Sequence, residues 1–227
     1  MIKIYLHYIL STLRYNVKLS RYVKIYNKFS SFTMIRMLDY ADNLELCELF
    51  QSVKGDVVEC GVWRGGMSAG ISEILGKERN YYLFDSFEGL PEVTEQDGLE
   101  AKQWQEDKTS DRYFDNCKAE INFAKKAMEI AGCKTSHFEK GWFNDTLPGF
   151  DKTSHIAVLR LDGDWYDSTM CCLTYLFPKV VSGGIIIIDD YYTWDGCSKA
   201  VHDYLSQQQL LERIERTKNG VCYIRKK

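Results

Sequence analysis

Short, uniformly apolar runs alternate along this chain with longer stretches whose apolar residues recur every three or four positions. Asp56–Val62, Asn80–Asp85, His155–Leu161 and Gly183–Ile188 are too short for buried helices and show no polar face. Such runs read as strands covered on both sides, the arrangement of a parallel sheet. His137–Phe143 reads as a further strand. Helices are expected at about 67–75, 111–131, 168–180 and 198–208, with Ser198 as an N-cap. In the second of these, Phe114, Ile121, Ala124, Met128 and Ala131 are candidate core positions. Two closing strands, near Leu211–Thr217 and Val221–Arg225, flank Asn219-Gly220, a dipeptide that favours tight hairpins. The expectation is an α/β fold: a Rossmann-like, mostly parallel seven-stranded sheet with an antiparallel C-terminal hairpin and helices on both faces.

Two segments stand outside that alternation. Residues 86–110 are polar and acidic with little periodicity, which reads as a lid inserted into the domain. Near the N-terminus, Tyr15, Leu19, Tyr22, Tyr26 and Phe29 fall on one helical face, beside a stripe of Arg14, Lys18, Arg21, Lys24 and Lys28. Residues 1–45 are therefore expected to form a basic, amphipathic helical extension to a domain spanning 46–227. That extension would pack on the core or on a second subunit of a homo-oligomer; contact with an anionic membrane surface is the alternative.

Composition narrows the field. The chain has 227 residues and a net charge of −3, which gives no reason to expect nucleic-acid binding. Its eight cysteines include no Cys-x-x-Cys pair, and there are only four histidines. Reduced cysteines in a cytoplasmic protein and no zinc site are expected. No apolar run approaches 18 residues, the length of a membrane-spanning helix.

The candidate chemistry lies where apolar runs end. Glu59-Cys-Gly-Val-Trp-Arg-Gly-Gly66 is a strand-to-helix turn of the form Glu-x-Gly-x-x-x-Gly. Its glycines allow close backbone approach to a ligand. Its acid would repel a pyrophosphate and attract the cationic groups of S-adenosylmethionine. Asp85 ends the next strand and could accept hydrogen bonds from ribose hydroxyls. Phe87 could lie against an adenine. Asp162, Asp164, Asp189 and Asp190 end two further strands, where a buried charge is least costly. Carboxylates without nearby His or Cys suit a hard cation such as Mg²⁺. Trp104, Tyr113, Trp165, Tyr191, Tyr192 and Trp194 lie near the same rim and offer faces for stacking on a sugar or a phenol.

Five segments in order, Val57–Gly66, Leu83–Pro91, Gly141–Pro148, Leu161–Thr169 and Gly183–Tyr191, resemble the TylF/macrocin O-methyltransferase family. The resemblance spans roughly residues 40–210. It implies a class I methyltransferase that uses S-adenosylmethionine and Mg²⁺ to methylate a hydroxyl of a sugar, on a small-molecule or glycan acceptor. It implies Asp162, Asp189 and Asp190 as metal ligands and Asp164 as the general base. It places Glu59, Gly61, Trp63, Arg64, Gly65, Asp85, Ser86, Phe87, Trp142, Phe143 and Asp162 at the cofactor. Alternatives are a catechol-like phenol O-methyltransferase, a nucleotide-sugar enzyme and a non-catalytic S-adenosylmethionine-binding protein.

Overall fold

A computed structural model describes residues 17–227. Among them, seven strands form one sheet: β1 (Asp56–Cys60), β2 (Tyr81–Asp85), β3 (Ser136–Lys140), β4 (Ile156–Leu161), β5 (Val180–Ile188), β6 (Ile214–Arg216) and β7 (Cys222–Arg225). Their order is β3-β2-β1-β4-β5-β7-β6. The first five pair in parallel, and β7 runs antiparallel between β5 and β6. This is the expected fold. The order reverses at β1, whose neighbours are β2 on one side and β4 on the other, so a crevice opens there beyond the carboxyl ends of the strands.

Alternation along the strands divides the interior into two cores. Val57, Leu83, Val158, Ile185 and Ile187 face a layer built by a helix over 17–29 (α1), α2 (Met37–Leu49), α3 (Gly66–Leu75) and α5 (Ile121–Ala131). Val58, Phe84, Leu159, Ile186 and Ile188 face α4 (Gly98–Glu106), α7 (Tyr166–Leu176) and α8 (Asp195–Gln207). A short α6 (Phe143–Thr146) follows β3.

The apolar face of α1 is turned inward: Tyr22 and Phe29 are buried, and Leu19 and Tyr26 pack beside them. Its cations meet acids of the domain. Lys18 and Arg21 pair with Glu48, and Lys28 pairs with Glu73. Tyr15 and Arg14 lie outside the described residues. Helix α2 runs through residue 45 and carries the buried Tyr40, Leu44 and Leu46. No helix among the described residues is long and apolar enough to cross a membrane.

Several local expectations are corrected. The insertion at 86–110 contains α4, which buries only Ala101 and so shows no periodic apolar pattern. A capping box between Thr94 and Asp97 precedes it. Asp97 is 2% exposed, and its Oδ1 also accepts from the Tyr166 N–H at 2.7 Å, pinning the insertion to α7. The helix expected from residue 111 starts at Ile121, because Asp115, Asn116 and Cys117 all have positive φ. Phe114 is consequently exposed, whereas Ala124, Met128 and Ala131 are buried. The Phe177-Pro178 step ends α7 at Leu176, short of the expected residue 180. Helix α8 begins at Asp195, so Ser198 sits inside its first turn and donates to the Asp195 carbonyl. The third strand stops at Lys140, and Phe143 is helical.

If α1 belongs to the core, Phe29→Ala will lower the unfolding free energy by about 3–5 kcal/mol. Urea denaturation measures this. Arg21→Ala, at a half-exposed ion pair, will change it by less than about 1 kcal/mol.

Candidate active site

The first turn beyond β1 cannot tolerate a side chain. Gly61 has φ +86°, and a Cβ there would lie 1.6 Å from the Asp162 carbonyl oxygen. Close passage of the two chain segments brings the β1–α3 turn against the acids that follow β4. Asp85, at the end of β2, fixes the same turn. Its Oδ2 accepts from the N–H groups of Val62 and Trp63 at 2.7 and 2.8 Å, and its Oδ1 from that of Phe87 at 2.6 Å. Burial nevertheless holds its carboxyl above the ordinary carboxylate range.

These segments line a cavity of about 730 Å³, within the ordinary range for a small-molecule site. Gly61, Trp63, Asp85, Ser86, Trp142 and Phe143 are in its wall, and so are Asp162, Asp164, Asp189 and Asp190. Other expected contacts lie elsewhere or serve another purpose, and Trp104, Tyr113, Tyr191 and Tyr192 are also absent from this wall. Gly65 packs on α5, where a Cβ would come 2.8 Å from Ala124 Cα. Arg64 has its guanidinium between the rings of Trp63 and Phe123, at 4.4 and 4.7 Å. Phe87 is 3% exposed and packs in the core on the α3 side of the sheet. Trp165 and Trp194 are 1% and 6% exposed, so their faces are occupied by protein and are closed to a sugar.

Glu59 and Arg160 stand opposite each other on β1 and β4, and both are fully buried. Arg160 donates from Nη1 to Glu59 Oε1 and Asp162 Oδ2, both at 2.8 Å, from Nη2 to Asp189 Oδ1, and from Nε to Asn43 Oδ1 at 3.2 Å. Glu59 also accepts from the Ser68 hydroxyl. One guanidinium therefore serves three carboxylates. Burial pushes the Glu59 carboxyl up to about 7 and that of Asp189 to about 6, in each case against the pull of Arg160. Glu59 is absent from the cavity wall; it acts from behind, through Arg160.

On the cavity side, oxygens of Asp162, Asp164 and Asp190 lie within 4.8 Å of one another. This trio contains Asp164 where the sequence placed Asp189, which is turned to Arg160. Asp164 has φ +57°. Its N–H donates to Asp190 Oδ2 at 3.1 Å, and its Oδ1 accepts from Trp194 Nε1 at 2.9 Å. Burial, then the neighbouring Asp162 charge, push its carboxyl up to about 7. The Asp190 carboxyl is also held well above the ordinary carboxylate range, by burial and then by Asp164. The donor set is oxygen only, and Arg160 offsets the charge of Asp162 alone, which fits a hard divalent cation.

The family described as macrocin O-methyltransferase (TylF) matches residues 29–226. The chain belongs to that family. Among curated relatives, the TylF-family chain is 39% identical over 182 residues to a demethyl-(dimethoxy-rhamnosyl)-tetracenomycin C 4'-O-methyltransferase of Streptomyces olivaceus, covering 76% of this chain and 67% of the relative. It is 35% identical over 206 residues to the mycinamicin III 3''-O-methyltransferase of Micromonospora griseorubida, covering 85% and 78%. Among solved structures, the O-methyltransferase NovP superposes with a TM-score of 0.72 at 30% identity, covering 86% of this chain and 82% of that one. Membership makes the TylF-family chain an O-methyltransferase.

Arg160 was not among the expected site residues, and Trp194 was expected as a stacking face and not as a donor to Asp164. The signal for Arg160 was present: a cation flanked by leucines within an otherwise apolar strand. Met34, Ile35, Cys117 and Cys171 also line the cavity, and they come from segments with no motif at all. Replacing Arg160 with Met leaves three buried or half-buried carboxylates without their cation. Losing one partner of a buried ion pair costs about 3–5 kcal/mol. Arg160→Met is thus expected to lower the midpoint of thermal unfolding by roughly 6–20 °C, measured by calorimetry at pH 7.

Proposed function

We propose that this O-methyltransferase transfers a methyl group from S-adenosylmethionine to a sugar hydroxyl, with Mg²⁺ bound by the acids at the ends of β4 and β5. The observation that carries the reading is the convergence of Asp162, Asp164 and Asp190 in the same cavity wall as Gly61 and Asp85. When bound, the donor supplies a methyl on a sulfonium, and the cation makes the acceptor hydroxyl easier to deprotonate.

The residues divide as follows. Gly61 lines the donor end of the cavity at the β1 turn, where it lets the chain pass close to Asp162, and Asp85 has further acceptor capacity for the donor's ribose. Trp142 and Phe143 close the cavity from the β3 side. Asp162 and Asp190 hold the cation, with Asp189 beside them in the wall. Asp164 accepts the acceptor hydroxyl proton. A carboxyl held near neutrality is matched to that task. Arg160 keeps Asp162 and Asp189 in place by bonding one oxygen of each. The relatives named above methylate glycosylated compounds, and this supports a sugar acceptor here.

Asp164→Asn is expected to bind S-adenosylhomocysteine as the unaltered enzyme does and to lose about 10²–10⁴ of its turnover. Calorimetry and a glycoside methylation assay read the two effects. Asp164 also lies within ligand distance of Asp162 and Asp190, which favours a second reading in which it binds the cation. In that case Asp164→Asn would weaken Mg²⁺ binding more than Asp189→Asn does. Chelation with EDTA is expected to abolish turnover and Mg²⁺ to restore it; full activity in EDTA would remove the metal from the proposal.

A further inference from the structure

Trp194 is the last residue before α8 and is buried. Its backbone N–H donates to the Asp190 carbonyl at 2.9 Å, so its position is tied to the end of β5. Its indole Nε1 donates to Asp164 Oδ1 at 2.9 Å. No hydrogen bond from the described residues reaches the other oxygen of Asp164. The two oxygens of a free carboxylate are equivalent, and rotation about χ2 exchanges them. Here the indole breaks that equivalence. Asp164 lines the 730 Å³ cavity, whereas Trp194 lines a separate surface groove of about 520 Å³.

Ring contacts hold the indole on its other sides. Trp165 and Trp104 pack against Trp194 edge to face, with ring centroids at 5.2 and 6.0 Å. Their own indole N–H groups donate to backbone carbonyls, Trp165 to Pro91 and Trp104 to Arg112. Only the Trp194 indole spends its donor on a carboxylate of the cavity. A neutral donor of fixed direction orients a carboxylate without competing for its charge, as a lysine would.

We infer that Trp194 is a positioning residue for the methyl transfer: it holds Asp164 Oδ1 and thereby presents Oδ2 to the acceptor hydroxyl. This rests on Asp164 being the proton acceptor proposed above. Trp194→Phe removes the donor and keeps an aromatic ring in the cluster. Replacing an oriented partner behind a reacting group typically lowers activity about 10–100-fold. The expected result is a fall in kcat of that size, with KM for S-adenosylmethionine and the affinity for S-adenosylhomocysteine unchanged within about twofold.

A double-mutant cycle separates positioning from packing. In the Asp164→Asn background, Trp194→Phe should cost little further turnover, because the group it positions is already disabled. Equal losses in both backgrounds, or a Trp194→Phe enzyme with unaltered kcat, would overturn the inference. An Asp164→Asn enzyme with near-normal turnover would instead overturn the assignment of the base and this inference with it. Incorporation of benzothienylalanine at position 194 keeps the bicyclic shape and lacks only the N–H. It should reproduce the Trp194→Phe kinetics even if that variant folds poorly, and unaltered kcat in this enzyme overturns the inference as well.

Discussion

Arg160 is a guanidinium with no solvent exposure in the middle of a parallel sheet. Removing such a charge from water costs several kcal/mol even after relaxation, and only close partners repay that. The partners come from four elements: Asn43 from α2, Glu59 from β1, Asp162 from the end of β4 and Asp189 from the start of the turn after β5. Each must be in register for the charge to be tolerated. The requirement therefore fixes how α2 packs on the sheet and where the chain leaves β4 and β5. The cavity acids are positioned by a constraint that acts from behind them. Asp162 and Asp189 each give Arg160 one oxygen, and both residues also stand in the cavity wall.

Backbone strain gathers on the same rim. Trp63, Phe87, Asp115, Asn116, Cys117 and Asp164 all have positive φ without being glycine. Such conformations cost about 1–3 kcal/mol each where the side chain is bulky, and they persist only when surroundings impose them. Here the surroundings are identifiable. Asp85 draws in the N–H groups of Trp63 and Phe87, and Asp190 draws in that of Asp164. Asn116 is held by bonds between its carbonyl and the Leu90 N–H and between its amide and the Leu90 carbonyl. Carboxylates at the cavity rim thus serve twice, as ligand groups and as anchors for turns that no strand or helix would stabilise. The insertion is fastened in a similar way, by the buried Asp97 at the start of α7 and by the Trp165 indole at Pro91.

The parallel sheet was legible because its strands are continuous apolar runs that end in turn residues and acids. The hub was not, for the same reason. Reading buried strands as free of interior charge assigns carboxylates to strand ends, so it passes over Arg160 and takes Glu59 for a ligand group, although the two satisfy each other across neighbouring strands. That pairing is a property of register, and register is absent from any one strand's pattern. Phe87 was placed at a ligand because it follows Asp85. Its φ of +55° turns it into the core instead, and nothing in the local sequence encodes that reversal. Helix α4 went unseen because it buries one alanine and is held by its cap and by side chains far away in sequence.

The doublet Asp189-Asp190 shows how the end of β5 sorts acids that look interchangeable in sequence. Successive side chains on a strand point to opposite faces. Ile185 and Ile187 face the α3 layer, and Ile186 and Ile188 face the α7 layer. Asp189 and Asp190 open the 3₁₀ turn that follows β5 and part company there: Asp189 meets Arg160, and Asp190 meets the Asp164 backbone. Asp162 lies two residues beyond Arg160, on the Arg160 side, yet its carboxylate also comes within 4.8 Å of Asp164 and Asp190. It is the one acid shared by both groups. Charge on the hub and charge in the cavity are therefore coupled through Asp162. Compensation of the cavity trio by a cation would also relieve the hub, where three carboxylates share a single guanidinium.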